Sequence, residues 1–571
     1  MKSKPIVNGL ALASLFFAIL LPPEAYSDGK LVVLLCATFA FFISVTESRV
    51  DRRYLKTGLA VFAILIAHTM LFSVDTYRSF ELIATLWTYY CLGGFFLYAG
   101  FDPITPLSVS MVSLSVIVSS YGLYQYLFGF DQLTALISSS GNDATITAPL
   151  LGRVASHRIF STFALPGTLW GFLVMAIPFH AALWDRTRQH GKQRLLVRVV
   201  ISISMVLLLI AGLLTRSFGF LAGLLVLTLV WLVVHHQRRL WNKVTVVMMF
   251  LIAGGALTYV LRRGVIEGAN PVMLRFGNWI SAWSIFSMHP LGTGLNTFGL
   301  MYPRYMLSGA NETQFAHNTI LQLLSELGYV AIAAGVLLLL LAVKYWSGAA
   351  KPRITGRECV VIALAVWCFH NFIDIDFYFG SVGTVGAILI GVVFRNSEST
   401  VKPPGKPLMA GVGIFATVAV VFSGLVMFST ELQNRAKGEY ESFKPQVAIE
   451  TLMQARKFMP FNSSLYLDAG QIQLELSQKR RDSQYLSAAM ESFRRSIELS
   501  PHKVDSRIGL GLCLSASRDV AGGLKEIRDA QKLYPDNTYV QTIVHLMEGM
   551  QTAYRRPLSA LRRPPRDMAS E

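Results

Sequence analysis

A chain of 571 residues that is 53% hydrophobic and only 15% charged, with a mean hydropathy of +0.47, cannot be a water-soluble globule. Its formal net charge of +17 would suit nucleic acid, but the Lys and Arg residues fall in short clusters between apolar runs, not on a basic stripe with interleaved aromatics, so nucleic acid is excluded as a partner. The five cysteines, Cys36, Cys91, Cys359, Cys368 and Cys513, show no Cys-x-x-Cys spacing and imply neither a disulfide framework nor a zinc site.

Apolar runs near twenty residues recur from Ile6 to Met427 and predict an all-α, polytopic helical membrane bundle of about 12–13 transmembrane helices over residues 1–429. Broken at charges and at Pro/Gly clusters, thirteen spans start near residues 6, 30, 57, 80, 105, 164, 199, 217, 244, 317, 358, 380 and 408. The first follows Lys2 and Lys4, but Leu21-Pro-Pro-Glu24 has no small-x-small cleavage pattern, so it reads as a retained span. With the N-terminus in the cytoplasm, every second loop carries a basic cluster: Arg49 to Lys56, Arg186 to Arg194, Arg238 to Lys243, Lys344 to Arg357, and Arg395 to Lys406. The same parity places the 129–163 loop, the long 262–316 loop and everything after the last span on the outer side.

Arginines on that outer side run against the positive-inside tendency and call for a reason. Arg153 and Arg158 precede the sixth span, and Arg216 lies in the tight turn Leu214-Thr-Arg-Ser-Phe218, where a planar guanidinium at the bundle mouth suits bidentate phosphate recognition. Arg262, Arg263, Arg275 and Arg304 belong to the long loop; snorkelling, or pairing with Asp131, Glu267 and Glu312, is the alternative use for Arg262, Arg263 and Arg304. Arg275 begins an amphipathic stretch with Trp279, Ala282, Trp283 and Phe286 at helical spacing, which predicts an interfacial helix. His317 opens the tenth span, followed by Asn318 and by Leu321, Leu324 and Leu327; a neutral imidazole there, near arginines, suits a general base. At the outer end of the eleventh span, His370-Asn-Phe-Ile-Asp374-Ile-Asp376 puts His370 and Asp374 on one helix face. Metal ligation by this group would lack a fourth donor, so no metal is assigned.

Beyond Thr430 the hydrophobicity falls and a repeat begins: Ala448, Leu452, Ala455 and Pro460, then Ala489, Phe493, Ser496 and Pro501, then Gly523, Ile527, Ala530 and Pro535. The last two prolines are 34 positions apart, the tetratricopeptide period; the earlier interval of 41 is absorbed by Ser477 to Ser483 as an inter-helix insertion. Residues 430–553 therefore read as a C-terminal α-solenoid on the outer, periplasmic side that binds a partner or docks on neighbouring domains. Residues 554–571, with five arginines from Arg555 to Arg566 among prolines, read as a disordered basic tail.

These residues resemble the O-antigen ligase and polymerase superfamily of membrane glycosyltransferases over roughly residues 30–395. The most specific part is the ligase pattern H-N-x9-G-x-x-[G/T/Y], which His317, Asn318 and Gly328 fit and Ala331 departs from. Arg275 through Trp283, Pro290-Leu-Gly-Thr-Gly294 and Phe298 are similar to the loop that leads into that histidine, and Tyr121 to Gln125, Arg158 to Phe163 and Leu214 to Ser217 are weaker echoes. In the family's Thr-x-Ser-Arg segment, Phe218 takes the arginine place here and Arg216 lies two positions earlier. The His370 to Asp376 segment resembles members that also carry C-terminal tetratricopeptide repeats.

The resemblance implies a metal-independent, cofactor-free, inverting transfer of a glycan from a polyprenyl diphosphate carrier at the outer face of a bacterial inner membrane. His317 is then the catalytic base, and Arg158, Arg216, Arg275, Asn318, His370 and Asp374 are assigned to substrate binding. The acceptor stays open between lipid A core (ligase), another lipid-linked repeat unit (polymerase) and a protein Ser or Thr (oligosaccharyltransferase), since all three share the donor half-site. The histidine pattern leans towards ligase, and the repeats lean slightly towards a protein partner, either an acceptor or an assembly component. A lipid-glycan transporter would need more ionisable residues at mid-span than His68 and Glu81, and a non-catalytic scaffold would leave the arginine and histidine mouth without a purpose.

Overall fold

In chain order the helices are α1 (Lys4–Leu20), α2 (Ser27–Thr46), α3 (Arg52–Phe72), α4 (Thr76–Leu97), α5 (Ile104–Tyr124), α6 (Phe130–Ser139), α7 (Pro166–Arg186), α8 (Gln193–Leu214), α9 (Phe218–Val234), α10 (Pro271–Met288) and α11 (Phe298–Tyr305). They continue as α12 (Thr319–Leu327), α13 (Tyr329–Gly348), α14 (Arg357–Ile373), α15 (Gly380–Val393), α16 (Lys406–Glu441), α17 (Pro445–Phe458), α18 (Ser463–Arg480), α19 (Ser483–Leu499), α20 (Val504–Ala516), α21 (Val520–Leu533) and α22 (Thr538–Arg555). This computed structural model describes residues 4–24, 26–47, 49–139, 154, 156–187, 193–234, 271–308, 310, 312–348, 356–395 and 402–555. The span expected near 244, together with Arg153, Arg262, Arg263, Glu267 and the tail after Arg555, lies outside the described residues.

Seven helices are long and apolar enough to cross a membrane, among them α2, α3, α4, α7 and α16, and four shorter apolar helices accompany them among the described residues. The chain is a multi-pass, all-α membrane protein. It divides into two compact units, one of residues 1–71, 80–296 and 315–427, the other of residues 72–79, 297–314 and 428–571.

Helix α7 is the axis of the first unit. Residues Leu169 to Ala176 are all fully buried, and α7 packs on α5, α8, α9 and α14. Lipid offers no hydrophobic drive for helix association, so contact has to come from close backbone approach at small residues. Glycines provide it: a Cβ at Gly219 or Gly223 of α9 would lie 2.2 or 2.7 Å from the Trp170 ring, and one at Gly171 would lie 2.4 Å from the His370 ring.

Arg52, Arg357 and Arg395 gather at one end of this unit. The Arg52 N–H donates to the Lys402 carbonyl at 3.0 Å, Arg395 to the Ala99 carbonyl at 3.1 Å, and Arg357 to the Val393 carbonyl at 2.7 Å. Helix α14 begins there with Arg357 and carries His370 in its last turn, while α7 runs the opposite way from Pro166 to Arg186. His370 therefore lies at the end away from Arg52, Arg357 and Arg395.

The tenth span, expected as one run from His317, is broken. Gly328 takes φ +59° between α12 and α13, and a Cβ there would lie 2.1 Å from the Pro290 carbonyl oxygen. The Pro290–Gly294 backbone occupies the break: Tyr329 N–H donates to Pro290 O at 3.0 Å, and the Thr293 and Gly294 N–H groups donate to Glu326 O at 3.1 and 2.9 Å. The loop thus satisfies backbone groups that a continuous helix would have paired internally.

In the second unit, α17 to α22 pack as consecutive helices. Ala448, Leu452, Ala455, Ala489, Phe493, Ser496, Ile527 and Ala530 are buried, and α17, α19 and α21 end just before Pro460, Pro501 and Pro535. The extra residues expected between helices are taken up largely as helix: α18 runs 18 residues against 13 for α20, and Arg481 at φ +55° ends it. Glycines let Phe493 seat, since a Cβ at Gly470 or Gly509 would come within 2.9 or 2.4 Å of its ring. Helix α11 packs on α21, and the Tyr534 hydroxyl donates to Glu312 at 2.5 Å.

Candidate active site

His317 sits just ahead of α12 in a left-handed backbone, φ +51°, a conformation that costs energy for a non-glycine residue unless its surroundings enforce it. Here they do. The Ala316 N–H donates to Gln322 Oε1 at 3.1 Å, and the Trp279 indole donates to the His317 carbonyl at 3.2 Å. Asn318 caps α12 by accepting from the Leu321 N–H at 3.0 Å, and its amide donates to the Phe372 carbonyl, also at 3.0 Å. One residue thus fixes both the start of α12 and its distance from the end of α14.

That spacing brings His317 Nδ1 to 3.1 Å from Asp374 Oδ1, with the histidine side chain 25% exposed and the aspartate 7%. An ionised carboxylate only accepts, so Nδ1 carries the proton in this pair and Nε2 keeps its lone pair. Burial works against ionising Asp374, but the hydrogen bond from His317 and the nearby Arg275 guanidinium outweigh it and hold the carboxyl well below the usual carboxylate range. Arg275 NH2 reaches Asp374 Oδ2 at 3.6 Å from α10.

Behind Asp374 lies His370, fully buried, its Nδ1 hydrogen-bonded to Asp376 and its Nε2 3.8 Å from Asp374 Oδ2. Burial, helped by the neighbouring Asp374 charge, pushes Asp376 above the usual range against the pull of His370. Asn371 Oδ1 accepts from the Thr319 hydroxyl at 2.7 Å and from the Phe377 N–H at 2.9 Å, which folds the 374–377 loop back over α12.

Arg158 and Arg216 meet at a neighbouring turn. Arg158 Nε donates to the Thr215 carbonyl at 3.0 Å, and Arg216, exposed and at φ +47°, donates to the Ser156 carbonyl at 3.2 Å. Gln125 braces this loop by accepting from the Phe160 and Ser161 N–H groups, each at 3.0 Å. The turn joins the histidine cluster through Trp170, which packs against Gly219 on one side and His370, 3.8 Å between ring centres, on the other. Arg304 lies on α11, in the second unit.

Sequence reasoning passed over the α7 residues Gly167, Trp170 and Gly171. A Cβ at Gly167 would lie 2.8 Å from Asp374 Oδ2, so both glycines are clearances for the buried acid and imidazole. Their signal was present as Gly-x-x-Trp-Gly, an i, i+3, i+4 pattern that puts all three on one helix face.

Residues 203–336 match the sequence model of the O-antigen ligase family. That stretch is similar to the O-antigen ligase domain. No curated protein matches the chain. The O-antigen ligase match takes in Arg216, Arg275, His317 and Asn318, while Arg158, His370, Asp374 and Asp376 lie outside it. The similarity is thus to an O-antigen ligase domain, within a multi-pass membrane chain.

Proposed function

We propose that the chain transfers a glycan from a polyprenyl diphosphate carrier to an acceptor hydroxyl, with inversion at the anomeric carbon, at the outer face of a bacterial inner membrane. The observation that carries this reading is the contact of His317 Nδ1 with Asp374, which leaves Nε2 as the proton acceptor, with the Arg275 guanidinium 3.6 Å from the same carboxylate.

In the reaction, His317 Nε2 takes the acceptor hydroxyl proton as that oxygen attacks the anomeric carbon. The bond from that carbon to the phosphate oxygen breaks, and the electron pair leaves with the carrier diphosphate. Arg275, with Arg216 and Arg158 at the adjoining turn, offsets the charge that grows on the departing diphosphate. Asp374 stabilises the imidazolium that forms, and His370, Asp376 and Asn318 hold Asp374 and His317 in place. Three residues first assigned to substrate binding, Asn318, His370 and Asp374, thus take positioning roles, since each is buried and hydrogen-bonded within the protein.

The test is transfer in vitro by the purified protein with a polyprenyl diphosphate oligosaccharide, offered in separate reactions lipid A core, further lipid-linked repeat units and a Ser/Thr-rich protein. Product in one reaction that disappears with His317→Ala supports the chemistry and names the acceptor. Donor turnover in none, or full activity in His317→Ala, overturns it.

A further inference from the structure

The Pro290–Asn296 loop, α12 and the loop after Asp374 all meet at one side chain, that of Glu326, which has no exposed surface. Its Oε2 accepts from the Asn296 N–H and from the Tyr378 hydroxyl, each at 2.7 Å, and its Oε1 accepts from the Gln322 amide at 3.2 Å. Gln322 passes the restraint on, because its own Oε1 accepts from the N–H of Ala316, the residue before His317. Tyr378 does the same from the other side, four residues beyond Asp374.

Burying a carboxylate in an apolar bundle is costly, and an apolar residue of similar volume would suit packing better. Three donors aimed at its two oxygens explain why the acid is kept: an apolar side chain would leave all three without an acceptor. We infer that Glu326 is a positioning residue for the transfer reaction, fixing the separation of His317 and Asp374 by holding the segment before one and the segment after the other. It acts through Gln322 and Tyr378 and registers the pair against the Pro290–Asn296 loop. The inference rests on the reading of His317 as the base.

Glu326→Gln keeps the volume but turns an NH2 group towards either Gln322 or the Asn296 and Tyr378 donors, so one donor faces another in either orientation. The expected result is a kcat lowered by about tenfold or more with the donor KM changed less than about threefold, together with faster hydrogen exchange at the Asn296 and Ala316 amides. The exposed-site variant Ser287→Ala, on α10, is the control for both readouts. An unchanged kcat, a loss confined to KM, or unchanged exchange at both amides would overturn the inference. Should Glu326→Gln fail to fold, Tyr378→Phe removes a single donor and carries the same kinetic and exchange criteria. The exchange result stands apart from catalysis, so activity retained by His317→Ala would refute the base while the amides still judge the tether from Glu326 to the residue before His317.

Discussion

Replacing Asp374 with Asn changes one charge and almost no volume at the centre of the site. The carboxylate accepts from His317 Nδ1 at 3.1 Å while Arg275 stands at 3.6 Å and His370 at 3.8 Å. A hydrogen bond to a charged group contributes roughly 1.5–3 kcal/mol, and the imidazolium formed during transfer draws on it more than the neutral ring does. At about 1.4 kcal/mol per decade, kcat should fall by roughly 10- to 150-fold. An asparagine NH2 facing Nδ1 also favours the tautomer with its proton on Nε2, which pushes the loss towards the upper end. The assay is single-turnover transfer in lipid nanodiscs with a labelled lipid-linked oligosaccharide, with thermal unfolding run alongside to show that the variant is folded. A folded Asp374→Asn protein whose kcat stays within about threefold of wild type, beside an inactive His317→Ala, would refute the orientation argument. In the wild type, the depressed Asp374 group contributes its stabilisation above the ordinary carboxylate value of about 3.9 and loses it only as pH falls through its lower folded value. The Asp374 contact should therefore survive at pH 5.

Gly171→Ala would set a Cβ 2.4 Å from His370 Nδ1, so it should lower both the melting temperature and the transfer rate; overpacking of this kind costs about 1–3 kcal/mol. Glu24, in the turn between α1 and α2 and bonded to Ser381, is pushed up to about 7 by burial. A carboxyl raised on folding binds extra protons in the native state, so wild-type stability should decline as pH rises from about 4.5 through 7. Glu24→Gln should flatten that slope, as melting curves across pH 5 to 8 would show. Phe493→Ala removes the ring that Gly470 and Gly509 accommodate and should destabilise the second unit by about 3–5 kcal/mol, read by proteolysis within residues 428–555.

Much of the first unit was legible because hydropathy and charge report directly on what lipid and water tolerate; α5, α7, α9, α15 and α16 begin within two residues of the starts assigned from sequence. The helix ends before Pro460, Pro501 and Pro535 were legible for a related reason, since proline cannot continue a helix. The site was only partly so. His317 and Arg275 announce themselves as polar groups in apolar surroundings, and the spacing of His370 and Asp374 gives a shared face. No spacing says which helices stand side by side, so the meeting of α7, α10, α12 and α14 around Asp374 had to come from the structure. The break at Gly328 was hidden for the same reason: a lone glycine in an apolar run signals a bend only when the chain that fills it, here Pro290 to Gly294, is seen.

The second unit is sewn together from three stretches, 72–79, 297–314 and 428 onward, and this constrains how the chain is threaded during synthesis. For the three to meet on one side of a bilayer, the chain has to cross an even number of times between Ser79 and Thr297 and again between Gln314 and Phe428. The spans expected from sequence give six crossings in the first interval, starting near 80, 105, 164, 199, 217 and 244, and four in the second, starting near 317, 358, 380 and 408; the one near 244 lies outside the described residues. A nascent chain that skipped a single insertion would strand one stretch in the wrong compartment and leave α11 without α21. Closure of this unit thus works as a checksum on membrane insertion, available only after the last span has been laid down.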